Sequence, residues 1–233
     1  MADAAQGASG AEMRVLLVNG SPRRSDPELI AGLAQECDLT IAVDRGAAWC
    51  REAGVVPDAF CGDADSVDDE TRAWVRENVA ERDLHEPEKD DTDLSLALDL
   101  AERIAAERGA SGCRPVLTCA TGGWTDHELG VMGQLVRRAG SAPMLVEDNF
   151  QAMVLSPGGQ ADWRMDDLAR GNTFSLVPLT ECVVTEENMY WELDHERLAP
   201  LSDRGLSNVV TTGFARVEVH EGVALAFLFW GRR

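Results

Sequence analysis

The chain has 233 residues, 45% of them apolar, and carries 41 acidic against 21 basic side chains for a net charge of −20. That length supports a substantial core in one or two domains, and the acidic excess excludes nucleic-acid binding through a basic face. Nothing approaches the roughly 18 consecutive apolar residues of a membrane span, so a soluble protein is expected.

The first ten residues have neither a basic start nor an apolar run and so do not form a signal peptide. Residues 1–12 are expected to be a disordered leader on a cytoplasmic protein. The six cysteines, Cys37, Cys50, Cys61, Cys113, Cys119 and Cys182, make no C-x-x-C pair and show no zinc spacing. Several lie in apolar runs, where a free thiol behaves as a small hydrophobe, which suits a reducing compartment.

Residues 14–19 (RVLLVN) have a buried-strand pattern, stopped by Gly20-Ser21-Pro22. Asp26-Pro27 starts a helix with a capping residue and an N1 proline, and Leu29, Ile30 and Leu33 share one face. Residues 39–43 form the next strand, ending at Asp44. Residues 46–53 are a short helix closed by Gly54, and residues 55–61 lead into the turn Gly62-Asp63-Ala64-Asp65-Ser66. Residues 68–80 read as a helix with acids in its first turn and with Trp74 and Val75 inward. The strongest helical periodicity follows Asp91-Thr92. Leu94, Ala97, Leu98, Ala101, Ile104 and Ala105 recur at spacings of three and four, and Gly109 stands at C′. Residues 116–120 are a strand leading into Thr121-Gly122-Gly123, and residues 126–139 a helix ending at Gly140.

Strands alternating with helices predict an α/β half with a doubly wound, mostly parallel sheet over residues 13–142. From residue 143 to 233 the pattern changes to short β-rich segments at 144–146, 151–155, 173–177, 182–185, 189–193, 216–219 and 223–230. Pro157-Gly158-Gly159, Asn188 and Glu221-Gly222 separate them as turns, so this half is expected to be a small antiparallel β domain.

The ligand crevice of a parallel α/β sheet lies outside the carboxyl ends of its strands. Acids stand where the apolar runs stop, at Asp44, at Asp63 and Asp65, at Asp90 to Asp93 and at Asp126, so they should converge on one edge. Crowded ionised carboxylates repel one another and call for a cation. Hard oxygen ligands without histidine or thiolate suit Mg²⁺, and such a site suits the handling of phosphates. Asp63 and Asp65, two residues apart, would face one side of an extended or tightly turned backbone. The alternative is a solvated surface turn, and the position beside other acid-bearing strand ends favours the metal. Between Lys89 and Asp93, one residue, Asp91 or Thr92, suffices to cap the helix. Asp93 is therefore assigned to the metal and Lys89 to a phosphate oxygen. Thr121-Gly122-Gly123 before a helix would turn backbone N–H groups toward a phosphate. His127 is either a base or a packing residue. Trp191, beside Tyr190 on an expected strand, is either sheet packing or a platform for a flat or cationic ring. Ser207-Asn208 is either a turn or a hydrogen-bonding pair.

In order, Asp44-Arg45-Gly46-Ala47, Gly62-Asp63-Ala64-Asp65-Ser66, Lys89-Asp90-Asp91-Thr92-Asp93, Thr121-Gly122-Gly123-Trp124-Thr125-Asp126-His127 and Ser207-Asn208 resemble the thiamine pyrophosphokinase family. Its pattern runs Asp-Gly-Gly-Ala, Gly-Asp-Phe-Asp-Ser, Lys-Asp-x-Thr-Asp, Thr-Gly-Gly-Arg-x-Asp-His and a later Ser-Asn. The similarity covers nearly the whole chain after residue 13. It implies an N-terminal catalytic domain with the doubly wound sheet, a C-terminal antiparallel β-sandwich domain that binds thiamine, and a homodimer with the vitamin site near the subunit boundary. The implied reaction is Mg²⁺-dependent transfer of diphosphate from ATP to the hydroxyethyl group of thiamine, giving thiamine diphosphate and AMP. By motif, Asp44, Asp65, Asp93 and Asp126 take catalytic positions, and Asp63, Asp65 and Asp93 hold the metal. Arg45, Ser66, Lys89, Thr92, Thr121, Gly122 and Gly123 would contact the nucleotide, and Trp191, Ser207 and Asn208 the thiamine.

Three residues depart from the pattern. Arg45 replaces a glycine, Trp124 an arginine and Val131 an asparagine; Arg45 is expected to restore the positive charge missing at 124. Two other readings are a non-catalytic thiamine-binding relative and a Mg²⁺-dependent nucleotide phosphohydrolase. Retention of all five acids argues against the first, and the β domain has no use in the second.

Overall fold

Strand β1 (Met13–Val18) places Val15 and Leu17 on one face and Leu16 and Val18 on the other, all four without solvent contact. A strand that is apolar on both faces must be covered on both, and this pattern organises the N-terminal half. The computed structural model describes residues 10–63, 67–84 and 91–230.

The chain alternates β1, α1 (Pro27–Glu36), β2 (Leu39–Val43), α2 (Gly46–Glu52), β3 (Ala59–Gly62), α3 (Asp69–Asn78), β4 (Glu81–Leu84), α4 (Asp93–Glu107), β5 (Cys113–Thr118), α5 (Thr125–Arg137) and β6 (Met144–Glu147). These six strands lie parallel in the order β4-β3-β2-β1-β5-β6. Ile30, Leu33, Ala47, Cys50 and Val75 of α1, α2 and α3 cover Leu16, Val18, Ala42 and Phe60. Leu94, Leu98, Ile104, Val131 and Leu135 of α4 and α5 cover Val15, Leu17, Ile41 and Leu117 on the opposite face. The sheet is doubly wound, and the winding reverses between β1 and β5.

Local chemistry sets the helix ends. Asp26 caps α1 by accepting from the Glu28 N–H at 2.8 Å, and Asp68 caps α3 by accepting from Thr71 at 2.6 Å. The Thr92 hydroxyl caps α4 by accepting from Ser95 at 3.2 Å. Gly109, one residue beyond the α4 cap, has φ +77°, the left-handed conformation a C′ glycine supplies without strain.

Beyond β6 the sheet continues antiparallel through β7 (Phe150–Leu155), β14 (Ala224–Phe229), β9 (Thr173–Pro178) and β12 (Asn208–Val209), giving ten strands among the described residues. A second sheet, β11 (Leu193–Leu198), β10 (Cys182–Glu187), β13 (Ala215–Glu221) and β8 (Asp162–Met165), is antiparallel throughout. Met153, Leu155, Phe174, Leu176 and Leu228 of the first meet Trp163, Met165, Val184, Val217 and Val219 of the second in a separate apolar core. That pairing is the β-sandwich.

One expected strand does not form. Asn188 has φ +64°, so the chain turns there, residues 189–192 run outside any named strand, and β11 starts only at Leu193. Strands β4, β8 and β12 were not foreseen. The first is an edge strand of polar sequence (ERDL), and the last is two residues long. The six cysteines are all free.

Candidate active site

At the carboxyl ends of β1, β2 and β5, where the winding reverses, lies a cavity of about 480 Å³, the position the crevice rule assigns to a ligand. Asp44, Arg45, Thr92, Asp93, Gly123, Trp124, Asp126 and His127 all line it. Three of the four strand-end acid groups are thus brought together by folding. Asp63 directly follows β3 and is not among the residues that line the cavity, whereas Asp65, Ser66 and Lys89 lie outside the described residues.

Asp44 leaves β2 with φ +48°, a conformation Asp tolerates better than most residues. Its N–H donates to the Cys61 carbonyl at 2.9 Å. Gly62, φ +148°, faces it so closely that a Cβ there would sit 3.1 Å from Asp44 Cα. At Gly62 the close neighbour that only a glycine admits is the backbone of Asp44. Gly46 is equally constrained, since a Cβ would fall 1.8 Å from the Val18 carbonyl oxygen; only glycine lets α2 start against the end of β1.

Asp93 opens α4, and Asp126 sits in the first turn of α5, accepting from the His127 N–H at 3.0 Å. Two helix N-termini, each with partial positive charge, and the Arg45 guanidinium thus offset three carboxylates around one space. These acids offer only hard oxygen donors, the kind that suits Mg²⁺, which usually takes one or two carboxylates and completes its shell with water and phosphate oxygens. Among the described residues no three His, Cys, Asp or Glu side chains converge as a ready-made metal cage. The donor chemistry fits a magnesium–phosphate complex, not a metal held by protein alone.

The Thr121-Gly122-Gly123 loop is arranged differently from the expectation. Glu147, buried at the end of β6, accepts on Oε1 from the Ala120 N–H (2.9 Å) and from both the N–H and hydroxyl of Thr121 (3.1 Å each). On Oε2 it accepts from the Ser25 hydroxyl (2.6 Å) and the Cys119 N–H (3.1 Å). Burial raises its carboxyl above the ordinary range, and the bonds from the Ser25 hydroxyl, the Ala120 and Cys119 N–H groups and the Thr121 hydroxyl oppose that rise. Cys119, with φ +53°, is held in its left-handed turn by this bond. The N–H groups of Gly122 and Gly123 donate to Glu128 Oε1, at 2.7 and 3.1 Å. The loop donors expected to meet a phosphate are met here by two of the protein's own carboxylates. Sequence reasoning missed both. Glu147 carries the signature that singled out Asp44, an acid ending the apolar run Met144-Leu145-Val146.

Trp191, Ser207 and Asn208 do not line this cavity. Trp191 is 56% exposed and meets the more open Tyr190 edge to face, ring centroids 4.8 Å apart. Both stand on the loop between β10 and β11, not on a strand. Ser207, with φ +57°, is exposed and donates its N–H to the Ser175 hydroxyl at 3.0 Å. Asn208 is 2% exposed and its amide is saturated. Nδ2 donates to the Trp191 carbonyl (2.8 Å) and to Glu186 Oε2 (2.9 Å), and Oδ1 accepts from the N–H groups of Trp191 (3.1 Å) and Val209 (3.0 Å). With two donor and two acceptor positions filled, its side chain clamps the Trp191 loop and offers no group to a ligand.

Comparison with known proteins matches residues 30–146 to the family model described as thiamin pyrophosphokinase, catalytic domain, and residues 164–224 to that described as thiamin pyrophosphokinase, vitamin B1 binding domain. The chain is 30% identical over 167 residues to the thiamine pyrophosphokinase of Bacillus subtilis (strain 168), covering 71% of this chain and 73% of that protein. The fold is similar to the crystal structure of thiamine pyrophosphokinase from Bacillus subtilis, with a TM-score of 0.77 at 23% identity over 93% of this chain and 98% of that one. It is also similar to a thiamin pyrophosphokinase family protein from Enterococcus faecalis, with a TM-score of 0.76 at 22% identity over 94% and 100% of the two chains.

Proposed function

Because the chain belongs to the thiamine pyrophosphokinase family, we propose that it transfers diphosphate from ATP to the hydroxyethyl oxygen of thiamine, releasing AMP. The observation that carries this reading is the gathering of Asp44, Asp93 and Asp126, from three separate segments, around one cavity of about 480 Å³. A space of that size suits a ligand as large as a nucleotide.

Asp63, Asp65 and Asp93 would hold Mg²⁺, which when bound with the triphosphate would neutralise charge on its oxygens. Asp126 and Asp44, which line the same cavity, would orient the attacking hydroxyl. Arg45 supplies positive charge to the phosphates beside the α4 and α5 N-termini. Such transfer depends mainly on positioning and charge neutralisation, with little covalent work for the protein. Trp191 offers its face to the cationic thiazolium. The separation of Trp191 and Ser207 from the acid-lined cavity of the same chain supports a homodimer in which the vitamin site lies near the subunit boundary.

AMP formation tests the reading against its two rivals. Thiamine-dependent AMP is expected. Thiamine-independent cleavage of ATP would identify a phosphohydrolase, and thiamine binding without AMP a non-catalytic relative.

A further inference from the structure

Along β10 the buried positions alternate as Cys182, Val184 and Glu186, so the third of them puts a carboxylate in a place in the sandwich core that the pattern would give to an apolar residue. Glu186 is 1% exposed. Its Oε2 accepts from Asn208 at 2.9 Å, while Oε1 is buried and takes no hydrogen bond among the described residues. A half-satisfied carboxyl in an apolar core costs stability, and an apolar side chain of similar size would fill the same space without that cost. What the carboxyl does there is hold one amide. That amide makes the three other bonds that fix the main chain of Trp191 and Val209. Tyr190 is tied to the same strand by its N–H to the Val209 carbonyl at 2.9 Å.

We propose that Glu186 is a positioning residue for thiamine binding, fixing the indole of Trp191 through the side chain of Asn208. An Asn without this acceptor can rotate its amide or exchange its Trp191 contacts for others. The acceptor selects one orientation, in which Nδ2 faces β10 and Oδ1 meets the two backbone N–H groups. The proposal rests on the thiamine reading above for its ligand, though not for its geometry.

The test compares wild type, Glu186→Gln and Glu186→Leu in two measurements, steady-state AMP formation and ¹⁹F NMR of 5-fluorotryptophan-labelled protein with the Trp191 resonance assigned by Trp191→Phe. Glu186→Leu is expected to raise the KM for thiamine about tenfold with kcat and the KM for ATP within about twofold, the pattern of lost ground-state binding, and to shift or broaden the Trp191 resonance. Glu186→Gln keeps an acceptor oxygen for Asn208 and restores both readouts. An unmoved Trp191 resonance in Glu186→Leu overturns the proposal, as does an equal rise in the KM for ATP, which would mark general damage. Should Glu186→Leu fail to fold, Asn208→Ser breaks the link from its other side and must move the same resonance; an unmoved one overturns the proposal. If wild type forms no thiamine-dependent AMP, the functional reading fails, and the Trp191 resonance still decides whether Glu186 positions that loop.

Discussion

Glu147 accepts hydrogen bonds from both the N–H and the hydroxyl of Thr121 on a single oxygen, each at 3.1 Å, and so joins the end of β6 to the loop that edges the cavity. Both its oxygens face backbone N–H groups, so neither can be replaced by an amide NH₂ without opposing a donor. Glu147→Ala and Glu147→Gln are both expected to destabilise the fold, the former by roughly 3 kcal/mol from buried donors left unmet. At roughly 2–4 °C per kcal/mol for a chain of this size, thermal unfolding should show a fall of about 6–12 °C. A shift under a degree in both variants would remove Glu147 from this role.

Glu128 occupies the Gly122 and Gly123 N–H groups, so an incoming phosphate competes with a charged side chain for the same donors. Glu128→Ala is expected to lower the KM for ATP by up to about tenfold, in line with the strength of a hydrogen bond to a charged acceptor. A higher KM would mean that the carboxylate holds the loop in its binding shape.

Arg45 lines the cavity next to Asp44, and Trp124, where the resembling family has arginine, is 73% exposed at its edge. Arg45→Ala is expected to raise the KM for ATP by roughly tenfold or more through loss of a charge-assisted contact, while leaving the KM for thiamine near wild type. Unchanged ATP binding by titration calorimetry would show that Arg45 does not replace the missing arginine.

Asp93→Asn and Asp44→Asn each remove one charge with little change in shape. Each is expected to reduce turnover at least a hundredfold, in the range for losing a preorganised electrostatic contact. Full activity in both variants at saturating Mg²⁺ would refute their place in the phosphate site.

Burial pushes the Glu186 carboxyl from an ordinary 4.5 up to about 7, against the opposing bond from Asn208. Between those values the folded chain holds a proton that the unfolded chain has released. This group's contribution to stability is therefore complete below about pH 4.5 and lost as pH rises through about 7. Urea denaturation of wild type minus Glu186→Gln isolates it: the difference should turn against wild type across that window and level off above it. A flat difference would mean that Glu186 titrates normally.

The parallel half was legible because its signals are local and redundant. Val15 to Val18 must be covered on both faces, Asp26-Pro27 and Thr92 announce helix starts, and Gly109 announces a stop. The acid-lined edge followed from where those strands end. Residues 189–193 read as a strand because Met, Tyr, Trp and Leu favour sheets. What overrides that preference is distant, the Asn208 amide holding both backbone groups of Trp191 from 17 residues away. Asn208 looked like a ligand for the same reason, since a sequence does not reveal that all four positions of an amide are already filled. Glu147 carried the local mark of an acid ending an apolar run and could have been found by it, whereas nothing local marks Glu128 as the carboxylate that meets a loop's N–H groups after folding.

The long sheet passes from its parallel to its antiparallel region through β6, which pairs with β5 on one side and β7 on the other. No flexible hinge separates catalytic half from vitamin half at that point; an unbroken ladder of amides does. Amide protons of Leu145 and Ala152 should therefore exchange with solvent only on global unfolding, at one shared rate, and the two halves should melt as a single cooperative unit. Severed between them, β6 and β7 would each become a bare strand edge open to pairing with another chain.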